Sequence, residues 1–434
     1  MSYRAMQERN KPDFSGKKLL FIGASGHFEL AIKKARALGA YTIAINFNPN
    51  ATAKQYADLA CDVDTYNPEE VLQFAKEQCI DGVFTSWNEV NLYTTEYVAE
   101  KMGLPFYAKK EQLDALITKY AFKKTCRKYG VPVIPEFFAG EELTEEAISR
   151  FEYPVIFKPT DSGGTRGMTI LYGPDGVTEA CEKALKASIK KEIVVEKYLR
   201  NGQLIVIDLA IQDGEAYLAC VADRSIVRTS ESAVPLAISY MYPSKNIEIV
   251  KDQVLEPIRS LIRGLGIRNG IISFEGMISD GKLYLIETQF RFGGTHFYEF
   301  TKRGCGVDLL EMMLEYALTG RFDRYSLAEE LNAEFEGPFA CQNLQVDGGR
   351  IKEIRNIEKV REMDGVDWFV QIKNLGDVVP SDGSTAQNFA KIGLSAKSDK
   401  ELYRLMDRIQ HTLEVIDENG SNLVRKNVPE AYIE

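Results

Sequence analysis

The sequence predicts an α/β and α+β protein with a doubly wound parallel sheet at its amino terminus. Two observations lead to this prediction. Short apolar runs alternate with helical periodicity in residues 17–115, which is typical of parallel strands covered by helices. Beyond residue 150 the apolar strand runs follow one another closely, which is typical of an α+β region. The last part of the chain, residues 331–434, mixes both kinds and predicts a C-terminal α+β subdomain.

The amino-terminal elements begin with an apolar run at 18–23, read as a strand. The turn at 23–26 contains two glycines, and helical periodicity follows over 27–38. Further elements are strands at 41–47 and 82–85 and a helix at 68–78. The glycine pattern is only GxxG, so it favours a tight strand-to-helix turn, with a nicotinamide site as the alternative.

The central and C-terminal elements follow from apolar runs and amphipathic periodicity. Strands are expected at 155–158, 168–172, 193–197, 204–212, 216–222, 271–278, 283–288, 344–346 and 368–372, and helices at 309–318 and 399–416. The domain prediction is a tail at 1–16, an N-terminal domain at 17–115, a central domain at 116–330 with a lid at about 150–200, and a subdomain at 331–434.

Composition excludes several classes of protein. The 434 residues carry 53 Lys and Arg against 63 Asp and Glu, a net charge of −10, so general nucleic-acid binding is not expected. The seven cysteines form no CxxC pair and the three histidines have no zinc spacing, which indicates reduced cysteines in a cytoplasmic protein. No apolar stretch reaches 18 residues and the first 16 are polar, so neither a membrane span nor a signal peptide is expected.

The first chemical motif is a lysine that ends a strand and is followed by a glycine-rich turn. Lys158 precedes the segment 161–167, in which Arg166 adds a second positive charge. Glycines let backbone N–H groups approach phosphate oxygens, and the two cations neutralise them. The motif predicts a phosphate clamp, although glycine-rich turns also serve only as turns.

The second motif is an apolar strand that runs into an extended connection at 194–203. Such a connection can present backbone N–H and C=O groups to the edge of an adenine. The alternative is a linker between elements with a solvated Glu196.

The third motif places two carboxylates, Glu275 and Glu287, inside apolar strands. Apolar strands rarely bury carboxylates without a partner, and Mg²⁺ prefers oxygen ligands together with nucleotide phosphates. Glu287, Gln289 and Arg291 alternate and so project from one face of a strand. The alternative is a structural ion pair between Glu287 and Arg291.

Together, in this order and spacing, the three motifs resemble the ATP-grasp superfamily, in its branch of L-amino-acid ligases and carbamoyl-phosphate-synthase-like proteins. The resemblance covers about residues 17–325, and more weakly the last hundred residues. It implies an ATP-grasp architecture and ATP as the nucleotide. The implied ATP-binding residues are Lys119, Lys158, Ser162, Gly163, Gly164, Thr165, Arg166, Gly167, Glu196, Lys197, Tyr198, Leu199 and Gln203, with Tyr198 and Leu199 acting through backbone groups.

The resemblance also implies the metal and substrate residues. Glu275, Glu287 and Gln289 resemble the Mg²⁺ ligands, with Gln289 where the family usually has asparagine. Arg291 resembles the arginine that neutralises developing charge, and Arg291 and Lys158 are the implied catalytic residues. The candidate substrate residues are Glu89, Arg228, Arg291, Gly294 and His296. For Glu89 the alternative is a carboxylate at a helix start, and for His296 a packing histidine.

The implied reaction is ATP-dependent joining of a carboxylate to an amine through an acylphosphate, with two Mg²⁺ ions that Mn²⁺ replaces. The alternatives are a phosphotransferase, an enzyme that activates bicarbonate on the same ATP site, and a non-catalytic nucleotide-binding protein. Small molecules are the expected partners, without nucleic acid or membrane, and a homodimer is compatible with the sequence.

The turn between the two carboxylate-bearing strands decides whether the carboxylates converge. A two-residue turn at 280–281 with a regular ladder puts Glu275 and Glu287 on opposite faces, and a three-residue turn puts them on one face. Gly281 suits the left-handed last position of a three-residue turn, so this register is predicted.

Overall fold

The computed structural model describes residues 11–161, 166–199, 202–227 and 236–433. Five of the predicted site residues lie outside these ranges, so their roles stay predictions. They are Ser162, Gly163, Gly164, Thr165 and Arg228.

A parallel sheet flanked by helices forms the amino-terminal part of the chain. Its elements are β1 (Lys18–Ile22), α1 (Glu29–Ala37), β2 (Tyr41–Ile45), β3 (Leu59–Cys61), α2 (Pro68–Gln78), β4 (Gly82–Phe84), α3 (Glu89–Met102) and α4 (Lys110–Leu116), with 3-10 turns at Gly26–Phe28 and Thr52–Tyr56. The four strands lie in the order β3-β2-β1-β4. The chain therefore reverses its direction of growth beside β1, and the loops after β1 and β4 open together at this switch point.

A small antiparallel sheet follows. Its elements are α5 (Lys119–Lys128), β5 (Glu136–Gly140), α6 (Glu145–Ile148), β6 (Val155–Pro159), β7 (Thr169–Leu171), α7 (Val177–Ala187) and β8 (Ile193–Lys197). The strand order is β5-β8-β6-β7. We call this sheet and α7 the lid. Its central strands β6 and β8 pair in register, so that Ile156 lies opposite Glu196 and Phe157 opposite Val195.

An eight-stranded antiparallel sheet forms the centre of the molecule, in the order β13-β12-β9-β10-β11-β14-β18-β16. Its strands are β9 (Gln203–Gln212), β10 (Glu215–Val227), β11 (Leu236–Tyr242), β12 (Gly270–Ser279), β13 (Lys282–Gln289), β14 (Phe339–Gln345), β16 (Val366–Gln371) and β18 (Asn388–Ser395). The pairing of β11 with β14 carries the sheet across the expected boundary at residue 331.

The remaining elements cover this sheet and form a three-stranded sheet, β17-β15-β19, near the carboxyl terminus. They are α8 (Ile247–Gln253), α9 (Leu255–Gly264), α10 (Tyr298–Gly304), α11 (Leu309–Thr319), α12 (Leu327–Glu330), β15 (Gly349–Arg355), α13 (Ile357–Arg361), β17 (Val378–Val379), a 3-10 turn (Thr385–Gln387), α14 (Asp399–Thr412), β19 (Glu414–Asp417) and α15 (Glu430–Ile433). The helix expected at 399–416 is too long, because β19 begins at Glu414 and pairs with β15.

One contiguous apolar cluster joins the amino-terminal sheet to the eight-stranded sheet. It contains Phe21 from β1, Ile207 from β9 and Trp368 from β16, all buried. A shared core of this kind resists separation of the two sheets, because separation exposes apolar surface to water. The loops that meet between the sheets are therefore held in fixed relation. No helix in the described ranges is long and apolar enough to cross a membrane.

Candidate functional site

The hairpin of β12 and β13 brings the two predicted metal ligands directly opposite each other. Glu275 pairs with Glu287 across the ladder. The predicted three-residue turn is wrong, because Ser279 pairs with Lys282 around a two-residue turn. Asp280 and Gly281 both have positive φ, at 51° and 73°, as two-residue hairpin turns with the twist of the strands require.

A bulge compensates for the short turn. Gly276 pairs with Leu285 and the next pair is Glu275 with Glu287, so Ile286 is an extra residue on β13. One inserted residue reverses the alternation of side chains beyond it. Glu287 therefore lies on the same face as Glu275, as predicted. The bulge, and not a three-residue turn, brings the two carboxylates together.

The electrostatics of the carboxylate pair favour a cation. An ion pair with the guanidinium of Arg224, on β10, holds Glu275. Burial and then the charge of Glu275 raise the pKa of Glu287, and Lys119 opposes them. Two carboxylates face to face repel each other, and a divalent cation relieves that repulsion. In the described ranges no third acidic, imidazole or thiol ligand joins them, which fits Mg²⁺ completed by water and phosphate oxygens.

Gln289 and Arg291 continue the same face beyond Glu287. The Arg291 Nη1 atom donates to Gln289 Oε1 at 3.2 Å and to the carbonyl of Phe292 at 2.8 Å. Arg291 forms its ion pair with Glu89, not with Glu287, so the alternative of a structural Glu287–Arg291 pair is wrong. The Nε atom of the buried Arg291 has no hydrogen-bond partner, which leaves a donor for an anion.

Glu89 reaches the site from the amino-terminal sheet. It is the first residue of α3, and Asn88 caps this helix by accepting from the N–H of Val90 at 2.9 Å. The interpretation of Glu89 as a carboxylate at a helix start is confirmed, and the helix dipole stabilises it there. Its role toward substrate stays a prediction, and its carboxylate contacts Arg291.

The predicted phosphate lysine belongs to a buried charge cluster in the lid. Lys158 Nζ lies 2.7 Å from Glu196 Oε2, and Lys123 of α5 binds the other carboxylate oxygen of Glu196. Burial by itself raises the pKa of Glu196, but the charges of Lys158 and Lys123 outweigh burial and lower this pKa to about 2. Glu196 is therefore not a solvated linker residue, and both its oxygens are already bonded to lysines. Sequence reasoning missed Lys123, although it lies four residues after Lys119 and shares its helix face.

The segment after Glu196 offers fewer free backbone groups than expected. The N–H of Lys197 donates to the carbonyl of Pro135 at 2.9 Å, and that of Tyr198 to Pro154 at 2.8 Å. The N–H of Tyr198 is therefore already used, and an adenine contact through the other backbone groups of Tyr198 and Leu199 stays a prediction. The side-chain amide of Gln203 donates to backbone carbonyls of Leu204 and Arg224.

The glycine-rich turn is described only at its end. Arg166 is exposed. Gly167 has φ 74°, and a Cβ there would lie 2.9 Å from Pro159, so a larger residue is strained.

A histidine from the turn after β1 meets a histidine from the loop after β13. His27 Nδ1 and His296 Nε2 share a hydrogen bond of 3.0 Å, and His296 Nδ1 shares one of 2.6 Å with the Tyr298 hydroxyl. Burial, then Lys391 and Arg291, lowers the pKa of His27 to about 3, so the pair is neutral at pH 7. His296 is fully buried, which favours the packing interpretation over direct contact with substrate.

A cavity of about 100 Å³ opens beside the carboxylates. It connects Glu275 and Gln289 with the peptide groups of Gly293 and Gly294. A Cβ on Gly294 would lie 3.2 Å from the ring of His27, so this position accepts little more than glycine. Its other wall contains Lys391 of β18, which sequence reasoning did not single out.

Opposed carboxylates, a buried arginine and a lysine of the small antiparallel lid are the groups expected in an α+β protein that binds nucleotide phosphates. Residues 118–324 match the family model described as the carbamoyl-phosphate synthase L chain, ATP-binding domain. This match confirms the predicted resemblance to the ATP-grasp superfamily for that part of the chain.

Relatives of known sequence agree with this assignment. The carbamoyl phosphate synthase large chain of Clostridium beijerinckii is 28% identical over 313 residues, which cover 70% of this chain. The match spans only 28% of that protein, so the chain corresponds to a part of it.

Solved structures share the fold. The biotin carboxylase domain of the Hydrogenobacter thermophilus 2-oxoglutarate carboxylase, solved with MgADP and bicarbonate, has a TM-score of 0.75 at 20% identity, over 96% of this chain and 93% of that one. The L-amino acid ligase of Bacillus licheniformis has a TM-score of 0.74 at 18% identity, over 93% of this chain and 100% of that one.

Proposed function

We propose that the protein is an ATP-dependent carboxylate–amine ligase that forms an amide or peptide bond through an acylphosphate and releases ADP and phosphate. The observation that carries the proposal is the pairing of Glu275 on β12 with Glu287 on β13, beside a cavity, with Arg291 two residues beyond the end of β13. Carboxylates and a cation are thereby available at adjacent points, as transfer of a phosphoryl group requires.

The proposed reaction assigns a task to each group. A substrate carboxylate oxygen attacks the γ-phosphorus of ATP, the bond to the β-phosphate oxygen breaks, and ADP leaves. An amine then attacks the acyl carbon, the amine loses a proton, and phosphate leaves. Arg291 neutralises the oxyanion of this addition, and Lys158, aligned by Glu196 and Lys123, binds phosphate oxygens.

Glu275, Glu287 and Gln289 would hold Mg²⁺, and the excess of negative charge at the carboxylate pair supports this assignment. When bound, the metal neutralises phosphate charge. Two ions, and Mn²⁺ as a substitute, are part of the proposal. Lys119, whose charge acts on Glu287, is assigned to the phosphates beside the metal.

The proposal includes small-molecule substrates, a cytoplasmic location and a homodimer. The seven free cysteines are consistent with a reducing compartment. Sedimentation of the purified chain tests the dimer, and fluorescence microscopy of the tagged chain in its own cell tests the location.

The reaction is tested by ADP release across pairs of carboxylates and amines, with the mass of each product measured. A ligase releases ADP only with both substrates present and yields a product of their summed mass less water. Release of ADP with bicarbonate alone would instead support the bicarbonate-activating alternative, for which the small cavity is also adequate.

Arg291→Ala separates binding from chemistry. We expect kcat to fall by about 10²–10³, the scale for loss of one oxyanion donor. The Kd for MgADP changes little, because Arg291 lies beyond the metal ligands. A change confined to KM would make Arg291 a uniform binding contact.

A further inference from the structure

A buried positive charge lines the cavity. Lys391, on β18 of the C-terminal part, is only 7% exposed and lines the same cavity as Glu275. Its Nζ atom donates to Asn343 Oδ1 at 2.5 Å. An ammonium group has three donors, so one hydrogen bond leaves capacity for more.

Within the described ranges, no carboxylate lies within 4.0 Å of Lys391. The other buried cations of the site are paired: Arg224 with Glu275, and Arg291 with Glu89. A buried charge without a counter-ion is costly, so a charge kept in a cavity wall calls for an anion from outside the chain.

Tyr240, which also lines the cavity, lies close to two cations. The Lys391 Nζ atom lies 5.4 Å from the centre of its ring, and the guanidinium of Arg224 lies 5.5 Å from the same centre. Arg224 is already paired with Glu275, whereas Lys391 lines the cavity. One small molecule in the cavity can therefore meet Lys391 and also a metal ion held by Glu275 and Gln289.

The size of the cavity limits that molecule. Its volume of about 100 Å³ is well below the roughly 300–1,000 Å³ of pockets for drug-sized ligands. This volume is on the scale of an acid of about three to five carbons and is smaller than a whole peptide or nucleotide.

We propose that Lys391 binds the second carboxylate of a small dicarboxylic substrate whose first carboxylate lies at the metal-binding end of the cavity, beside Glu275 and Gln289. This inference rests on the proposed ligase function, since it names the class of acid that the enzyme activates. Tyr240 and Asn343 position the ammonium group.

The test measures binding by calorimetry to the full chain saturated with Mg²⁺ and ADP. The probes are malonate, succinate and glutarate, each matched by carbon number with propionate, butyrate and pentanoate. The wild-type protein is expected to bind one diacid at least about tenfold more tightly than its matched monoacid, as a charge-assisted hydrogen bond provides. No preference for any diacid in the wild-type protein would overturn the proposal without reference to a variant.

Substitution of Lys391 tests whether this residue causes the preference for a diacid over its matched monoacid. Lys391→Met is expected to reduce it below about twofold, and Lys391→Arg to keep most of it. Lys397→Met, an exposed lysine on the same segment, leaves it unchanged and is the matched control. If Lys391→Met does not fold, Lys391→Gln takes its place, because an amide retains a donor for Asn343. A preference that persists without the lysine means that other cations hold the second carboxylate, and the proposal is wrong.

The same samples separate this inference from the ligase proposal. Diacid binding that depends on Lys391, with no ADP release from ATP and any amine, supports the subsite and contradicts the ligase. Amide formation from monoacids as efficient as from diacids supports the ligase and contradicts the subsite.

Discussion

At the scale of single residues, Glu287 carries a charge that the metal-free fold opposes. Burial and Glu275 raise its pKa, so the charged form costs free energy of folding at pH 7. Glu287→Gln is expected to raise the Tm of the metal-free protein. It is also expected to abolish turnover and the further rise in Tm that Mg²⁺ and ADP produce.

Thermal unfolding with and without MgADP measures both effects. Glu146→Gln, an exposed glutamate on α6, is the control and should alter neither. A Glu287→Gln variant with normal metal-dependent activity would remove Glu287 from the site.

Asp208 makes the folding stability of the protein depend on pH. It is fully buried on β9 and accepts from the Ser273 hydroxyl at 2.5 Å, and its Oδ2 atom has no partner. Burial raises its pKa to about 7, with Ser273 opposing and Glu275 adding to the shift. The folded state therefore keeps a proton that the unfolded state releases above about pH 4, and stability falls as pH rises to about 7.

Asp208→Asn removes this loss. We expect the variant and the wild type to differ little at pH 4, and the variant to gain up to about 4 kcal/mol relative to wild type between pH 4 and pH 7, and no more above it. Urea unfolding at steps of pH measures the difference. A difference independent of pH would show that Asp208 does not titrate in this window.

At the scale of elements, the carboxylate of Glu196 on β8 joins three elements, because it pairs with Lys123 on α5 and with Lys158 on β6. Lys123→Met leaves Glu196 with Lys158 alone and is expected to cost about 3–5 kcal/mol of stability, the scale for breaking a buried ion pair. It also raises KM for ATP, because Lys158 loses its alignment. Lys124→Met, exposed on the same helix, is the matched control. Urea unfolding and a KM series are the measurements, and equal values for both variants would contradict the role of the cluster.

The alternation of strands and helices was predictable in the amino-terminal sheet, because buried parallel strands read as apolar runs. Strand β5, at Glu136–Gly140, was missed because its apolar run, Phe137 to Ala139, has only three residues and shows no alternation. The hairpin at Glu275 and Glu287 was predictable as a hairpin, but not its register. The two-residue turn puts Glu275 and Glu287 on opposite faces, and the bulge at Ile286 puts them back on one face. The spacing of the two glutamates in the sequence does not reveal either feature separately.

The site was predictable where its chemistry stands in one short motif, as with Glu287, Gln289 and Arg291. The partners of these groups were not. Lys123 is 73 residues from Glu196, and Arg224 is 51 from Glu275, so only the fold brings each pair together. Lys391 lies still further along the chain from Glu275, with which it lines the cavity. Its apolar neighbours give it the pattern of an ordinary strand residue.

At the scale of the whole molecule, the eight-stranded sheet makes the last hundred residues part of the core. Removing residues 331–434 takes away β14, leaves β11 as an open edge and exposes the apolar surface under Phe339 and Trp368. We expect the fragment 1–330 to be insoluble. A chain ending at residue 428, which loses only α15 with its lack of buried residues, is expected to stay soluble. Sedimentation of cell lysates compares the two, and a soluble fragment 1–330 with normal nucleotide affinity would contradict the shared core.

The meeting of His27 and His296 has an optical consequence. The chain contains two tryptophans, and both touch His296: the ring of Trp87 at 5.6 Å and the ring of Trp368 at 5.1 Å between centroids. Trp87 comes from the amino-terminal sheet and Trp368 from the eight-stranded one. Light absorbed at the red edge of the protein spectrum is therefore emitted from this one junction. The tryptophan fluorescence of the native chain therefore reports how the amino-terminal sheet and the eight-stranded sheet pack against each other, without an added label.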